Sequence, residues 1–208
     1  RIARSIHRSR SSVNRRLIAV VVAFAALATV SCSSPNESLA QQYQNGSDEG
    51  YISGDGSTVE IPASNRDEAV SYEATLDTGE TVSSSDFEGS VYVVNFWYSS
   101  CPPCRLEAPD LVELSEEYTE VPFLGVNVSD TAETSRTFAD EFGVPYASVV
   151  DATTAGVQLA FAGSVPPNAV PTTLVVDREG RVAARISGLV RDPSILAAMI
   201  DSVVAEEH

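Results

Sequence analysis

The sequence predicts an α/β domain, because short β-rich runs alternate with segments of helical spacing after Val70. The clearest strand is VYVVNFW at residues 91–97, whose nearly continuous apolar character suits a central strand covered on both faces. Residues 103–118 place Leu and Tyr at helical intervals among acidic residues, which indicates an amphipathic helix. Pro109 lies inside that helix and predicts a kink.

The alternation continues to the end of the chain. Further strands are predicted at residues 122–128, around Val149, at 172–177 and at 182–187, the last two forming a hairpin around the turn REG. Further helices are predicted at residues 129–143, closed by Gly143, in TTAGVQLAFAG up to Gly163, and at 193–207. This order of elements predicts one compact domain.

Charge is distributed unevenly along the chain. All 13 basic residues are Arg, six of them within the first 16 residues, whereas every acidic residue follows Cys32. Without residues 1–32, seven Arg remain against 29 Asp and Glu, a formal charge of about −22. Such a body repels nucleic acid, whose binding depends on cationic contacts to phosphate, so we expect no nucleic-acid partner. The acidity indicates either a well-solvated surface or a basic partner.

The amino terminus has the layout of an export signal. Arg15 and Arg16 precede an uncharged apolar run of 14 residues at 17–30, and small polar residues follow it. The run has the length of a secretory signal and is shorter than the roughly 20 residues of a transmembrane helix. Residues 1–32 are therefore predicted to be a signal peptide, with an uncleaved short anchor as the alternative.

Cys32 follows the apolar run in the stretch LATVSC, which resembles the lipid-accepting site of bacterial lipoproteins. Val30 and Ser31 fit that pattern, whereas Thr29 stands where a larger aliphatic residue is usual. Acylation of Cys32 would give the protein a lipid anchor to the membrane. The alternatives are an ordinary signal peptide or a free thiol. Residues 33–68 are polar and rich in small residues, so they are predicted to form a flexible tether before a folded domain at 69–208.

The segment NFWYSSCPPCR places Cys101 and Cys104 three positions apart where a buried strand ends and a helix begins. At a helix start the first cysteine is exposed near unpaired N–H groups and the positive end of the dipole, which stabilise a thiolate. The second cysteine lies close enough to close a small disulfide ring. The spacing therefore predicts Cys101 as the nucleophile and Cys104 as the resolving thiol of a redox-active Cys101–Cys104 disulfide.

Other uses of a CxxC spacing fit this chain less well. A zinc site needs about four Cys or His ligands, but only Cys101, Cys104 and His208 follow residue 32. Covalent haem attachment needs His after the second cysteine, where Arg105 stands. We therefore expect no metal and no cofactor. An inert structural disulfide remains an alternative, although closing so short a loop stabilises little.

With VNFWYSSCPPC, Pro109 in the next helix, VPTTLVVD and the REGRVAARISG hairpin, the body resembles the thioredoxin superfamily, specifically its TlpA and ResA-like branch of exported oxidoreductases. The resemblance runs from about Ser71 to the end of the chain. It implies a thioredoxin-like fold, a central mixed β-sheet flanked by helices.

The resemblance also implies a substrate-binding loop. In this family a cis-proline faces the dithiol, and the matching residue is Pro171; the alternative is an ordinary trans turn proline. A cis bond there would expose the backbone of Val170, to which a substrate segment could add by strand-like hydrogen bonds. Trp97 is expected to pack beneath the site and to support substrate binding.

Glu107 matches the family's functional glutamate, three residues after the second cysteine. Thioredoxins carry a buried Asp in the preceding strand, but Asn95 stands there and cannot accept a proton at neutral pH. A carboxylate beside the dithiol could carry its proton and would oppose thiolate formation. The alternative is a solvent-facing helix carboxylate. Ser100 stands where thioredoxin has an aromatic residue before its first cysteine, a departure that implies a substrate preference unlike that of thioredoxin.

The resemblance implies an extracytoplasmic thiol-disulfide oxidoreductase on the outer face of the bacterial cytoplasmic membrane. Its expected partners are disulfide-containing exported proteins, apocytochrome c among them during cytochrome c biogenesis, and a membrane thiol-electron donor. An oxidant or isomerase of exported proteins is the alternative within the same chemistry. A peroxidase-like redoxin is weaker, since neither cysteine of the predicted domain at 69–208 stands in a Thr-x-x-Cys arrangement. A tethered binding domain with a structural disulfide is the non-enzymatic alternative.

Overall fold

The computed structural model describes residues 57–165 and 169–206, so the expected signal peptide, Cys32 and most of the expected tether lie outside the described residues. Its strands are β1 (Thr58–Glu60), β2 (Glu73–Thr75), β3 (Thr81–Ser83), β4 (Tyr92–Trp97), β5 (Phe123–Asn127), β6 (Ser148–Val150), β7 (Thr172–Val176) and β8 (Val182–Ser187). Its α-helices are α1 (Pro102–Glu117), α2 (Ala132–Phe142), α3 (Gly156–Ala160) and α4 (Pro193–Val204). None of the helices in these two ranges has the length and apolar character needed to cross a bilayer.

The central sheet is mixed, as the resemblance implied. Its strand order is β1-β8-β7-β4-β5-β6, with β4, β5 and β6 parallel and the remaining neighbours antiparallel. The hairpin of β2 and β3 forms a separate two-stranded sheet. The predicted α/β class with a central mixed sheet and flanking helices is confirmed.

Strand β4 lies in the middle of this sheet and is buried along its whole length. Its side chains alternate between two apolar cores, because successive residues of a strand point to opposite faces. Val93 joins the core built with α1 and α4, whereas Val94 and Phe96 join the core built with α3 and the β2–β3 hairpin. Asn95 shares the face of Val93 and therefore points toward α1.

Helix α1 includes Pro109, whose side chain is exposed, within its range, and the kink expected there stays a prediction. Helix α3 differs from the sequence-based expectation. Helix α3 is only five residues long, because Ala155 before it has φ 52° and ends the predicted helical pattern on that side. The carboxylate of Asp151 accepts the N–H groups of Val157 and Gln158 and caps this short helix.

The expected boundary between tether and domain at residue 69 is wrong. Residues 58–60 form an edge strand that pairs antiparallel with β8, Thr58 opposite Ile186. The Arg66 guanidinium lies buried against Asp177 with a 2.9 Å ion pair. Sequence patterning misses this segment, since three residues are too few to show an alternation and their pairing partner lies more than a hundred residues away.

Candidate active site

The two motif cysteines lie where β4 passes into α1. Cys101 occupies the N-cap of α1 and Cys104 lies in its first turn. The two form a disulfide with their Cα atoms 5.3 Å apart. The backbone N–H of Cys104 donates to the Cys101 Sγ at 3.3 Å, so this sulfur takes the place of a capping oxygen.

The two prolines between the cysteines determine which backbone N–H group can donate a hydrogen bond to the Cys101 sulfur. Pro102 and Pro103 occupy the first two positions of α1, and neither has an N–H. The first N–H that the helix can offer is therefore that of Cys104, and it points at the Cys101 sulfur. This donor, together with the positive end of the helix dipole, would stabilise negative charge on Cys101.

Both cysteines are buried in the disulfide form. Cys101 is 1% exposed and Cys104 is 2% exposed. The expectation of an exposed Cys101 is therefore wrong for this state, because the sulfur turns into the helix and packs in an apolar cluster with Trp97, Phe138 and Val170. In this state the side chains of that cluster cover the Cys101 sulfur.

Trp97 supports the disulfide from below. Its ring packs on Phe138 with centroids 4.3 Å apart, and its Nε1 donates to Ser148 Oγ at 3.2 Å. Gly125 makes room for that bond, since a Cβ there would overlap the Ser148 hydroxyl and lie 2.9 Å from Trp97 Nε1. Because Trp97 is buried, it would contribute to substrate binding by packing against the cysteines rather than by contacting the substrate with an exposed ring face.

Glu107 is not a solvent-facing carboxylate, since it is only 1% exposed. Its Oε1 accepts from Asn95 Nδ2 at 2.9 Å, and its Oε2 accepts from the backbone N–H of Val190 at 2.9 Å. Asn95 also donates to Thr173 Oγ1 at 3.0 Å, which ties the carboxylate to β7. Glu107 and Cys104 are both buried and lie three residues apart on α1, so they share one helix face.

The environment of Glu107 favours its protonated form. Burial raises its pKa to about 7, against the lowering effect of the bonds from Val190 and Asn95, and the charge of Asp110 raises it further. Neither hydrogen-bond donor is a cation, so removal of the carboxylate from water is the larger effect. A group with this pKa can both hold and release a proton near neutral pH.

The loop before β7 contains a cis peptide bond between Val170 and Pro171, as the resemblance implied. The loop is fixed on both sides: Thr172 Oγ1 donates to the Ala169 carbonyl at 2.8 Å, and Gly188 N–H donates to the Pro171 carbonyl at 2.8 Å. Val170 is partly buried in the cluster that contains both cysteines. The structure thus brings Cys101, Cys104 and Val170 together.

Two features near the cysteines were not predicted from the sequence. The Asp130 carboxylate, in the loop after β5, accepts from Ser99 N–H at 2.6 Å and from Ser99 Oγ at 2.9 Å, which fixes the segment before Cys101. Tyr146 lines a small pocket together with Asn95 and Cys104, and burial and the Glu107 charge raise its pKa. No local pattern marks either residue, because each acts on residues far away in sequence.

The family model of the AhpC/TSA family matches residues 66–185, a stretch that contains the disulfide, Glu107 and the cis-proline loop. The chain belongs to the AhpC/TSA family. The match begins after strand β1 and ends within strand β8, so β1 and α4 lie outside it. It agrees with the thioredoxin-like resemblance that the motif implied.

Two relatives of the chain carry thiol-disulfide names. The chain is 35% identical over 120 residues to the thiol:disulfide interchange protein HelX of Rhodobacter capsulatus, covering 57% of this chain and 63% of that relative. It is 31% identical over 106 residues to the thiol-disulfide oxidoreductase ResA of Halalkalibacterium halodurans, covering 50% of this chain and 57% of that relative. The chain thus spans about six tenths of the length of these relatives.

Solved structures agree with the fold. A DsbF homologue from Corynebacterium diphtheriae matches with a TM-score of 0.64 and 29% identity, covering 73% of this chain and 96% of that one. A secreted thiol-disulfide isomerase from Corynebacterium glutamicum matches with a TM-score of 0.63 and 28% identity, covering the same shares.

Proposed function

We propose that this protein is a thiol-disulfide oxidoreductase. The observation that carries the proposal is the Cys101–Cys104 disulfide at the start of α1, packed against the cis Val170–Pro171 loop and one helical turn from the buried Glu107. A structural disulfide needs neither the loop nor the carboxylate. The thiol-disulfide names of the relatives support the same chemistry.

The proposed reaction transfers two electrons from the reduced protein to a client disulfide. The Cys101 thiolate attacks one client sulfur, a mixed disulfide forms, and the other client sulfur leaves as a thiolate. Cys104 then loses its proton and attacks the Cys101 sulfur, which restores the internal disulfide and releases the second client thiolate. The two client thiolates take up the two protons that the enzyme dithiol gave.

Glu107 is the proposed carrier of the Cys104 proton. As a carboxylate it can accept that proton, since each oxygen has a second lone pair beyond the bond from Asn95 or Val190. As a protonated acid it can return a proton to a leaving thiolate. A pKa near 7 makes both forms available at neutral pH.

Trapping of clients tests the roles of the two cysteines. Reduced Cys104→Ser protein mixed with a disulfide-bonded client peptide should accumulate a mixed disulfide through Cys101, which mass spectrometry identifies. Cys101→Ser is the matched control and should accumulate none. Trapping through Cys104 instead would reverse the roles, and trapping by neither variant would refute the exchange activity.

The proposed direction is reduction of disulfides in exported proteins, with apocytochrome c as a candidate client and a membrane thiol-electron donor as the source of electrons. The redox potential against glutathione tests this, because about 30 mV corresponds to a tenfold change in a two-electron equilibrium. A potential near that of thioredoxin, about −270 mV, supports a reductant. A potential near −120 mV would instead support an oxidant of exported proteins.

The proposed location is the outer face of the bacterial cytoplasmic membrane, with Cys32 carrying lipid. The support is the position of Cys32 directly after the basic and apolar segment at residues 15–30. Fractionation of cells that express the wild type and Cys32→Ala tests it. Loss of membrane retention in the variant is expected. Unchanged processing and retention would rule out lipidation and favour an uncleaved helix.

A further inference from the structure

Arg105 follows Cys104 on α1, and its side chain reaches back toward the loop before Cys101. Its Nη1 donates to the Ser99 carbonyl at 3.3 Å, two residues before the nucleophile. Its Nη2 forms a 2.5 Å ion pair with Glu141 Oε1 near the end of α2. The guanidinium thus joins the motif loop of one helix to the carboxylate of another.

The same guanidinium lies on an aromatic stack that begins under the disulfide. Its central carbon is 4.8 Å from the ring centroid of Phe142 and 5.8 Å from that of Phe138. Phe138 in turn packs on Phe142, at 4.5 Å, and on Trp97. A cation over aromatic faces is attracted by the ring quadrupoles. This attraction fixes the position of the Arg105 guanidinium relative to the cluster around Cys101.

We propose that Arg105 is a positioning residue that stabilises the Cys101 thiolate, and that Glu141 moderates this effect by neutralising part of the guanidinium charge. The bond to the Ser99 carbonyl holds the cation beside the loop that ends at Cys101. The proposal rests on the proposed role of Cys101 as the attacking thiol. It adds a charge pair, from outside the cysteine motif, that tunes how reactive this thiol is.

The charged side chains around Cys101 are mostly carboxyl groups, so a single cation among them affects the stability of the thiolate. Glu107 lies on the buried face of α1, Asp130 holds Ser99 from the β5–α2 loop, and Glu141 reaches in from α2. Tyr98, Tyr146 and Val170 also lie near the disulfide and add no positive charge. Among these groups Arg105 is the only cation, so it opposes three carboxyl groups that disfavour a thiolate.

The expected effect is moderate, because water screens the pair. The Arg105 side chain is 39% exposed and that of Glu141 is 53% exposed. A partly exposed charge held against the loop before a thiol changes its thiolate fraction by about two- to threefold. Such a change is measurable as a rate of alkylation, since only the thiolate reacts.

The experiment compares Arg105→Gln with Glu141→Gln in the full chain. Both proteins are reduced, and the alkylation rate of Cys101 is followed against pH by peptide mass spectrometry, which separates it from Cys104. Arg105→Gln should move the midpoint of the alkylation profile to higher pH. At pH values below that midpoint, it should slow the alkylation of Cys101 by about two- to threefold. Glu141→Gln should move the midpoint to lower pH and accelerate the reaction, because it releases the full Arg105 charge.

The opposite signs separate electrostatics from structure, because either variant breaks the same ion pair. A purely structural link would make both variants change the rate in the same direction, and that result or two unchanged profiles would overturn the proposal. Arg105→Lys should keep most of the wild-type profile, since it keeps the charge and loses the guanidinium fork. High salt should shrink the difference between Arg105→Gln and the wild type.

Failure of this inference can be told from failure of the proposed function. Alkylation reports the reactivity of Cys101 without any client, whereas the trapping experiment reports exchange with a client. Trapping by Cys104→Ser together with unchanged alkylation profiles would remove the role of Arg105 alone. Melting temperatures of the variants identify any loss of folding.

Discussion

Two buried carboxylates in this domain lie in opposite electrostatic settings. Asp177, at the end of β7, is 2% exposed, and its Oδ2 lies 2.9 Å from both Arg66 and Arg181. Its Oδ1 accepts from the N–H of Arg181 at 2.8 Å. Glu107 is equally buried, but Asn95 and the Val190 N–H, both neutral, are its hydrogen-bond donors among the described residues.

The difference indicates which carboxylate serves stability and which serves chemistry. Two guanidinium groups compensate the buried charge of Asp177, so it can link the start of the domain, through Arg66, to Glu206 just after α4. Glu107 has no such compensation, and burial therefore raises its pKa to about 7. A fold that stabilised Glu107 with a cation would lose the group that can exchange a proton beside Cys104.

The largest expected effect is that of Glu107→Gln on the pH dependence of stability. The folded-state pKa is raised, so the folded protein holds a proton that the unfolded chain releases, and wild-type stability falls as pH rises from 4.5 to about 7. The shift corresponds to about 3 kcal/mol, and the variant lacks this contribution. The difference in unfolding free energy between variant and wild type should therefore rise across that interval, measured by denaturant unfolding with Trp97 fluorescence.

The matched control for this measurement is Glu116→Gln, an exposed carboxylate on the same helix. This control measures how much a Glu-to-Gln change away from the buried site alters the free energy of unfolding at each pH. A difference for Glu107→Gln that is also independent of pH would show that the buried carboxyl does not titrate there.

The same variant should flatten the pH dependence of client reduction around pH 7 and lower the pKa of the Cys101 thiol, because the nearby negative charge is removed. Ultraviolet absorbance of the thiolate, followed against pH in both reduced proteins, measures the second effect. Superimposable titrations together with unchanged rates would leave Glu107 with a packing role only.

A smaller effect is expected on the Asp177 side. Arg66→Met keeps the side-chain volume and removes one of the two guanidinium partners, so the free energy of unfolding should fall by about 2 kcal/mol. The alkylation profile of Cys101 should stay as in the wild type, because Arg66 is not part of its surroundings. The exposed Arg191→Met is the control and should change neither quantity. A shifted Cys101 profile in Arg66→Met would show that the two carboxylate regions are coupled.

The smallest effect is expected for Thr173→Val, which removes the second acceptor of Asn95 and leaves Glu107 in place. One N–H of Asn95 then lacks a partner, so stability should fall by about 1 kcal/mol. The pH-dependent change in stability assigned to Glu107 should persist in this variant, since Asn95 still donates to the carboxylate. Its disappearance would mean that Thr173 fixes the side chain of Asn95 and thereby the titration of Glu107.

Local patterns in the sequence predicted much of the fold and part of the site. The apolar run of β4 and the helical spacing after Cys101 predicted the two elements that hold the cysteines, and α1 spans Pro102–Glu117 close to the predicted 103–118. Strand β1 was missed, because its stability comes from pairing with β8 rather than from its own residues. The length of α3 was overestimated, since an Ala at positive φ leaves no sequence signal.

The sequence by itself determined the chemistry that this chain can offer: two thiols three positions apart at a helix start, with a carboxylate one turn later. Only the tertiary structure decided how that chemistry is tuned. Burial of Glu107, its neutral donors from β4 and from the loop at Val190, and the contact of Arg105 with Glu141 all join residues distant in sequence. Electrostatic energies depend on distance and on exclusion of water, and neither quantity exists before the chain has folded.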